Sequence, residues 1–136
     1  MSRRELREQV FKLLFRIEFN SQEEMQTQCQ LFFNDVDTNF SEEDAEHIQT
    51  KFDRVIEKLE EIDKMIDEKA KGWSVSRMGK VDLTIIRLGV YEILFDDDIP
   101  ASVAINEAVE LAKKFGQDKS NGFVNAVLAK FVSTQE

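Results

Sequence analysis

Glycine and proline are scarce in this sequence, which has five glycines and one proline in 136 residues. Sandwiches and barrels of this length need many tight turns, and tight turns consume these two residues. The composition therefore argues against an all-β fold. Hydrophobic residues make up 42% of the chain and charged residues 33%, a balance that supports a buried core and excludes a wholly disordered chain.

The chain has a single cysteine, Cys29, and a single histidine, His47. One cysteine excludes an intrachain disulfide, and the two residues together are too few for a Cys/His zinc site. No glycine-rich phosphate loop or metal-spaced set of carboxylates is present, and the acidic run 96–98 before Pro100 is typical of a solvated turn. We expect no catalysis, no metal and no cofactor, with Cys29 in the core and His47 on the surface.

Long hydrophobic runs are also missing. No apolar stretch approaches the ~18 residues of a membrane span, and the N-terminus lacks the pattern of a signal peptide. We therefore expect a soluble protein of a reducing compartment, the cytoplasm, without a membrane partner.

The net charge of −9 is unevenly distributed. Residues 1–16 carry five basic against two acidic residues, residues 17–72 carry six against sixteen, and residues 111–130 carry four against one. An anionic partner responds to the field within about 8–10 Å and not to the total charge. Two basic segments on an acidic chain are compatible with nucleic-acid binding, although ordinary solvated helix faces give the same pattern.

Helical periodicity extends over nearly the whole chain. Ser2 and Glu5 have the spacing of a capping box, and the apolar positions that follow predict a helix over about 3–19 with the nearby arginines away from its apolar face. Further helical patterns lie at 22–34, from Ser41 onward, at 78–95, at 101–115 and from Ser120. The pattern after Ser41 allows one long helix or two that meet near residue 60.

No segment alternates with a period of two. The sequence therefore predicts an all-α fold of about six or seven helices in two packed helical subdomains, about 1–72 and 73–136, within one domain spanning 1–136. The most apolar block, 78–95, is predicted to be the central helix. Trp73 follows Gly72 at the junction and is predicted to plug the core between the two halves, and Gly116 and Ser120 are the expected end and cap of neighbouring helices.

Four strings in the C-terminal half resemble the NusB transcription antitermination family. They are VDLTIIRLGVYEIL at 81–94, DDIP at 97–100, VAINEAVELAKKFG at 103–116 and FVNAVL at 123–128, and RRELREQVFKLLF at 3–15 is similar to that family's opening helix. The resemblance implies a non-catalytic, all-helical protein. It also implies binding of single-stranded boxA RNA in rRNA leader transcripts together with the ribosomal protein NusE, within the RNA polymerase antitermination complex.

The resemblance also implies roles for individual residues. Two basic stretches match those that the family places against RNA, and guanidinium groups suit phosphate oxygens and unpaired bases. Phe123 fits a core position equally well. The RNA-facing candidates are Arg3, Arg4, Arg7, Lys113, Lys114, Lys119, Asn121 and Phe123, and the candidates for the interface with the protein partner are Phe15, Asp82 and Tyr91.

Two alternatives stay open at this stage. The protein could be an adaptor whose acidic middle segment binds a basic protein, with little RNA affinity of its own. The sequence also leaves homodimerisation open, and it does not give the RNA sequence preference or affinity.

Overall fold

A computed structural model describes residues 1–132, and over that range the chain is helical, with turns and loops between the helices. The prediction of an all-α fold is confirmed. The described residues form six α-helices and two single 3-10 turns, Arg16–Glu18 and Val75–Arg77. The helices are α1 (Arg3–Phe15), α2 (Met25–Phe33), α3 (Glu42–Lys69), α4 (Lys80–Phe95), α5 (Ala101–Phe115) and α6 (Ser120–Val132).

The chain divides into two compact units, Met1–Arg54 and a second that begins at Val55. The boundary falls within α3, whereas the sequence analysis placed the division at 72/73, and the two-subdomain organisation stays a prediction. The first unit buries apolar residues of α1 such as Val10, Leu13 and Leu14. Phe32 stacks on Phe40 with ring centroids 5.4 Å apart, which closes the turn between α2 and α3.

Of the two alternatives that the pattern allowed, one long helix or two meeting near residue 60, the structure has the single helix α3. Its start is capped by Ser41, whose Oγ accepts from the backbone N–H of Asp44 at 3.1 Å. Ile48, Ile62 and Ile66 are fully buried, so the apolar stripe is continuous along the helix. Since no glycine or proline interrupts residues 42–69, nothing in the backbone chemistry breaks the helix.

In the second unit, α4 packs against α5 and α6. All eleven residues from Leu83 to Ile93 are buried, which confirms the prediction of a central helix. A methyl group at Gly89 would lie 2.7 Å from Leu128 Cδ1, so this glycine allows α4 and α6 to approach closely. Arg87 and Asp63 form a two-pronged ion pair with distances of 2.8 Å from Nε and Nη2, which ties α4 to α3.

Several helix ends differ from their predictions. α1 ends at Phe15 and continues as a 3-10 turn, and α2 begins at Met25 and not at 22. Gly116 ends α5 with an extended backbone, and its lack of a side chain matters because a Cβ would lie 2.5 Å from Ser120 Cβ. Ser120 is the first residue of α6 and not its cap, and its Oγ accepts from the N–H of Gln117 at 2.9 Å. None of the helices in residues 1–132 has the length and apolar character needed to cross a membrane.

Candidate nucleic-acid interface

The first basic surface lies at the start of α1. Ser2 Oγ accepts from the N–H of Glu5 at 3.1 Å, and Glu5 Oε1 accepts from the N–H of Ser2 at 3.1 Å, so the predicted capping box is formed. The Glu5 carboxylate accepts hydrogen bonds from the Ser2 backbone N–H and from the Ser2 hydroxyl, and these lower the pKa of Glu5. The cap fixes the first helical turn, on which Arg3 and Arg4 are both exposed.

The N-terminus is also tied to α3 within the first unit. The α-amino group of Met1 lies 3.2 Å from Asp44 Oδ2. Sequence reasoning treated Asp44 only as part of an acidic helix start. Its contact with Met1 gives the cap a second support, and the two arginines extend from a turn that is held at two points.

Arg7 does not share the exposure of its neighbours. Only 8% of its surface is accessible, so the prediction that all three arginines lie away from the apolar face is wrong for Arg7. The physical reason is the helical step, because residue 7 lies three positions before the buried Val10 and four before the buried Phe11. The exposed positive charge of this surface is therefore supplied by Arg3 and Arg4.

The predicted second basic stretch begins with two lysines at the end of α5. Lys113 and Lys114 are both exposed. Lys113 Nζ lies 3.6 Å from Glu110 Oε1, and Lys114 Nζ lies 5.5 Å from the centre of the Phe115 ring. Cations at a helix C-terminus also interact favourably with the helix dipole. These two lysines therefore have local helical contacts in addition to any contact with RNA.

Three further candidates lie at the start of α6. Lys119 is exposed, whereas Asn121 and Phe123 are half-buried. The first turn of α6 contains no acidic residue, so side chains of that turn leave the partial positive charge of the helix N-terminus uncompensated. Such a terminus favours a phosphate group. The helix start and Lys119 together supply positive charge within the second unit, beside the exposed carboxylate of Asp118.

An open groove of about 930 Å³ runs beside this helix start. It brings together residues that the sequence analysis had assigned to different roles, since Asp82 was placed with the protein partner and Lys119 and Phe123 with RNA. The wall also includes Met78 and Gly79, from the segment before α4. Two chain segments that are distant in sequence, 73–82 and 117–123, therefore form one surface.

Trp73 is the residue in this groove that sequence reasoning assigned wrongly. The prediction of a core plug is incorrect, because 53% of the Trp73 surface is exposed. The Trp73 and Phe123 rings pack edge to face with centroids 5.4 Å apart at 67°. Gly72 has a φ of +84° and turns the chain away from α3, so Trp73, the next residue, no longer lies on that helix. A lone tryptophan directly after a turn glycine was a signal for an exposed position.

The loop that carries Trp73 is held by hydrogen bonds. Asp67 Oδ1 accepts from the N–H of Val75 at 2.7 Å, and the hydroxyls of Ser74 and Ser76 are 3.1 Å apart. The N–H of Trp73 donates to the carbonyl of Ala70 at 2.8 Å. The indole is therefore presented to solvent by a braced loop.

Comparison with known proteins identifies the chain. The model of the NusB family matches residues 4–133. The chain belongs to the NusB family. It is 56% identical over 131 residues to the transcription antitermination protein NusB of Agathobacter rectalis, covering 96% of this chain and 99% of that protein.

Solved structures agree with this assignment. NusB of T. maritima matches with a TM-score of 0.85 and 34% identity, covering 98% of this chain and 92% of the other. A crystal structure of the antitermination factors NusB and NusE in complex with dsRNA matches with a TM-score of 0.78 and 25% identity, covering 97% of this chain and 96% of the other. The resemblance seen in the sequence strings is confirmed.

The three residues predicted for the partner interface of this NusB-family chain differ in accessibility. Phe15 is half-buried, and its ring packs edge to face on the exposed Phe19 at 5.1 Å. Asp82 is half-buried in the first turn of α4, where an acid is favourable for the helix dipole. Tyr91 is only 5% exposed and packs near Phe95, so it has the least surface to offer a partner.

The residues considered for chemistry show no shared site. Cys29 is half-buried and not fully in the core, and desolvation raises the pKa of its thiol, so the neutral form is favoured. His47 is exposed, as predicted. Within residues 1–132, no group of three or more Asp, Glu, His or Cys side chains is arranged to hold a metal ion.

Proposed function

We propose that this protein is a transcription antitermination factor of the cytoplasm, which acts by binding and without catalysis. It binds the single-stranded boxA element of nascent rRNA leader transcripts together with the ribosomal protein NusE, as part of the RNA polymerase antitermination complex. The similar NusB–NusE structure contains dsRNA, so the strandedness of the RNA is part of the proposal.

The exposure of Arg3 and Arg4 on a capped helical turn is the observation that carries the proposal. A positive residue in the first turn opposes the helix dipole, so the dipole gives no reason for arginine at these two positions. Guanidinium groups form two parallel hydrogen bonds with phosphate oxygens. In a chain with a net charge of −9, a fixed pair of exposed arginines is a local site for an anionic polymer.

The start of α6 supports the same function independently. Lys119 and the N-terminus of α6 provide positive charge, and Phe123 provides an aromatic surface in the same groove. Single-stranded nucleic acids are bound by this combination of charge and aromatic rings. Lys113, Lys114 and Asn121 extend this set as further RNA contacts. Arg7 is only 8% exposed and has little surface to offer RNA.

Charge reversal of the exposed arginines tests the proposal. We expect R3E combined with R4E to weaken binding of labelled boxA RNA roughly tenfold or more at moderate salt, because two phosphate contacts become repulsive. The slope of log K against log salt should fall by about 1.4, since each contact on a single strand contributes about 0.7. Fluorescence anisotropy over a salt series measures both quantities.

A matched control makes the result specific. R54E combined with K64E introduces the same change of net charge at exposed positions of α3 and should leave RNA binding within a factor of about two. The R3E/R4E variant should fold normally, because glutamate in a first turn is favourable for the helix dipole. Unchanged affinity in a folded R3E/R4E protein would contradict the assignment of these residues.

Addition of NusE separates the proposal from the adaptor hypothesis. An RNA-binding factor should bind boxA RNA more tightly when NusE is present. An adaptor would bind NusE and add nothing to the affinity for RNA, and that outcome would replace the proposed function.

A further inference from the structure

Trp73 has an unusual position for the largest side chain in the protein. It is the only tryptophan in the sequence, and 53% of its surface is exposed. An indole buries a large apolar area when it enters a core, and such exposure leaves much of that area in water. Residues 71–79 form a short loop in which a polar residue would satisfy the same backbone hydrogen bonds. The tryptophan is therefore not explained by the loop alone.

The indole is held in one orientation. Phe123 contacts it edge to face at 5.4 Å, and the Asp67–Val75 hydrogen bond fixes the loop on its C-terminal side. An edge-to-face pair positions the first ring while leaving ring surface available for a further stacked group. The pair thus has the properties of a preorganised platform.

There is room and charge for a nucleotide beside this platform. Gly79 lines the groove, and a Cβ at this position would have no atom within 4 Å, so the groove is open on the side of Gly79. Lys119 contributes a positive charge to the wall, whereas Asp82 and Asp118 contribute negative charges. A phosphate would therefore lie on the Lys119 side, with the base over the indole.

We propose that Trp73 stacks on an unpaired base of the bound RNA, with Phe123 as its positioning partner. This inference rests on the proposed function and adds to it the site that selects single-stranded nucleotides. The face of a base inside a duplex is covered by its neighbours, so an aromatic platform favours bases that have left the stack. Every base has such a face, so this contact tolerates different base identities.

The single tryptophan allows a direct test, because the emission of the intact protein reports on Trp73 alone. Single-stranded boxA RNA should quench this emission, and quenching should saturate at the same concentration as the anisotropy of labelled RNA. A duplex of the same sequence, compared at equal occupancy, should quench less. RNAs with one abasic position each should identify the stacked nucleotide as the position whose loss restores the emission.

Variants at this position measure how much Trp73 contributes to the affinity for RNA. W73A should weaken single-strand binding roughly 5- to 150-fold, the range expected for removal of one base–aromatic stack. W73F should retain most of the affinity, since a smaller ring still stacks. L31A is the matched control, because Leu31 is an exposed apolar residue of the first unit, with 58% of its surface accessible. The L31A variant should bind RNA as the unchanged protein does.

Each outcome decides a different point. RNA binding without quenching and with normal affinity in W73A would overturn the stacking inference and leave the proposed function intact. A change in emission with NusE alone, not altered further by RNA, would place Trp73 against the protein partner and would also overturn the inference. Absence of RNA binding with and without NusE would overturn the proposed function together with this inference.

Discussion

The two basic surfaces of this protein are built in different ways. Arg3 and Arg4 lie on one helical turn, and the Ser2–Glu5 capping box that fixes this turn comes from the same few residues. The groove beside α6 is assembled from a loop, the start of α4 and the start of α6, and it depends on contacts such as Trp73–Phe123. The first surface is local in sequence, whereas the second exists only when α4, α5 and α6 are packed.

Because the two surfaces are built differently, a sequence pattern predicts exposure on the first surface better than on the second. Exposure of Arg3 and Arg4 follows from helical spacing, and the same spacing, applied with care, also explains why Arg7 is buried. Exposure of Trp73 follows from where a loop leaves α3 and from the ring of Phe123. The periodicity of apolar residues predicts neither the point at which the loop leaves α3 nor the packing of Trp73 against Phe123. The following changes separate the local surface from the assembled one.

The largest effect is expected from D67A, which acts on the assembled surface. The variant loses the 2.7 Å hydrogen bond to the N–H of Val75 and should lower the free energy of unfolding by about 1.5 kcal/mol. It should also weaken RNA binding several-fold, because the loop presents Trp73 less firmly. Urea unfolding and anisotropy measure these changes. D67N keeps an acceptor oxygen and should recover most of the loss, and equal defects in both variants would contradict the role of this hydrogen bond.

A smaller effect is expected from S2A, which acts on the local surface. Loss of the cap should lower the free energy of unfolding by about 1 kcal/mol at neutral pH. The pKa of Glu5 is lowered by its hydrogen bonds to Ser2, so the contribution of the Glu5 carboxylate is present above its ordinary pKa and is lost as the pH falls through the lowered value.

Hydrogen exchange at the first turn of α1 is the measurement for S2A. Exchange should accelerate at neutral pH, and the difference from the unchanged protein should shrink in acid. The amides of α4 should be unaffected, which makes that helix the internal control. A uniform acceleration in α1 and α4 would show that the cap is not local.

The smallest effect, with the opposite sign, is expected from G122A. Gly122 lies in the first turn of α6, and a Cβ there meets no atom within 4 Å. Alanine should raise the free energy of unfolding by about 0.5 kcal/mol, because it reduces the entropy of the unfolded chain. Thermal unfolding measures the gain. If RNA approaches α6 closely at this point, affinity should fall while stability rises, which would place the RNA against the first turn of α6.

Much of the fold follows from local chemistry. The bounds of α5 agree with the predicted 101–115, since Pro100 precedes the helix and Gly116 ends it. The start of α1 was predicted from Ser2 and Glu5, and the burial of α4 from its density of apolar residues. The end of α1 and the start of α2 were less accurate. Ser21 and Glu24 exchange the two hydrogen bonds of a capping box, but residues 22–24 form a turn and α2 begins only at Met25.

The candidate site was only partly predictable. Charge spacing identified Arg3, Arg4 and Lys119, whose exposure the structure gives directly. The meeting of Asp82 with Lys119 in one groove was not predictable, because the two residues lie 37 positions apart and no alternation or spacing links them. The continuity of α3 past residue 60 was also undecided, since its apolar stripe fits one helix or two.

Local patterns in the sequence are enough to predict that this protein is built of helices, that its charge is concentrated in separate segments and that it resembles one family. These properties depend on residues within a few turns of one another, where spacing and capping chemistry are sufficient. The exposure of Trp73 and the meeting of Asp82, Lys119 and Phe123 in one groove depend on tertiary packing. Which side chains are exposed and which lie side by side depends on how the helices pack together. That packing depends on residues throughout the chain and not on any one segment.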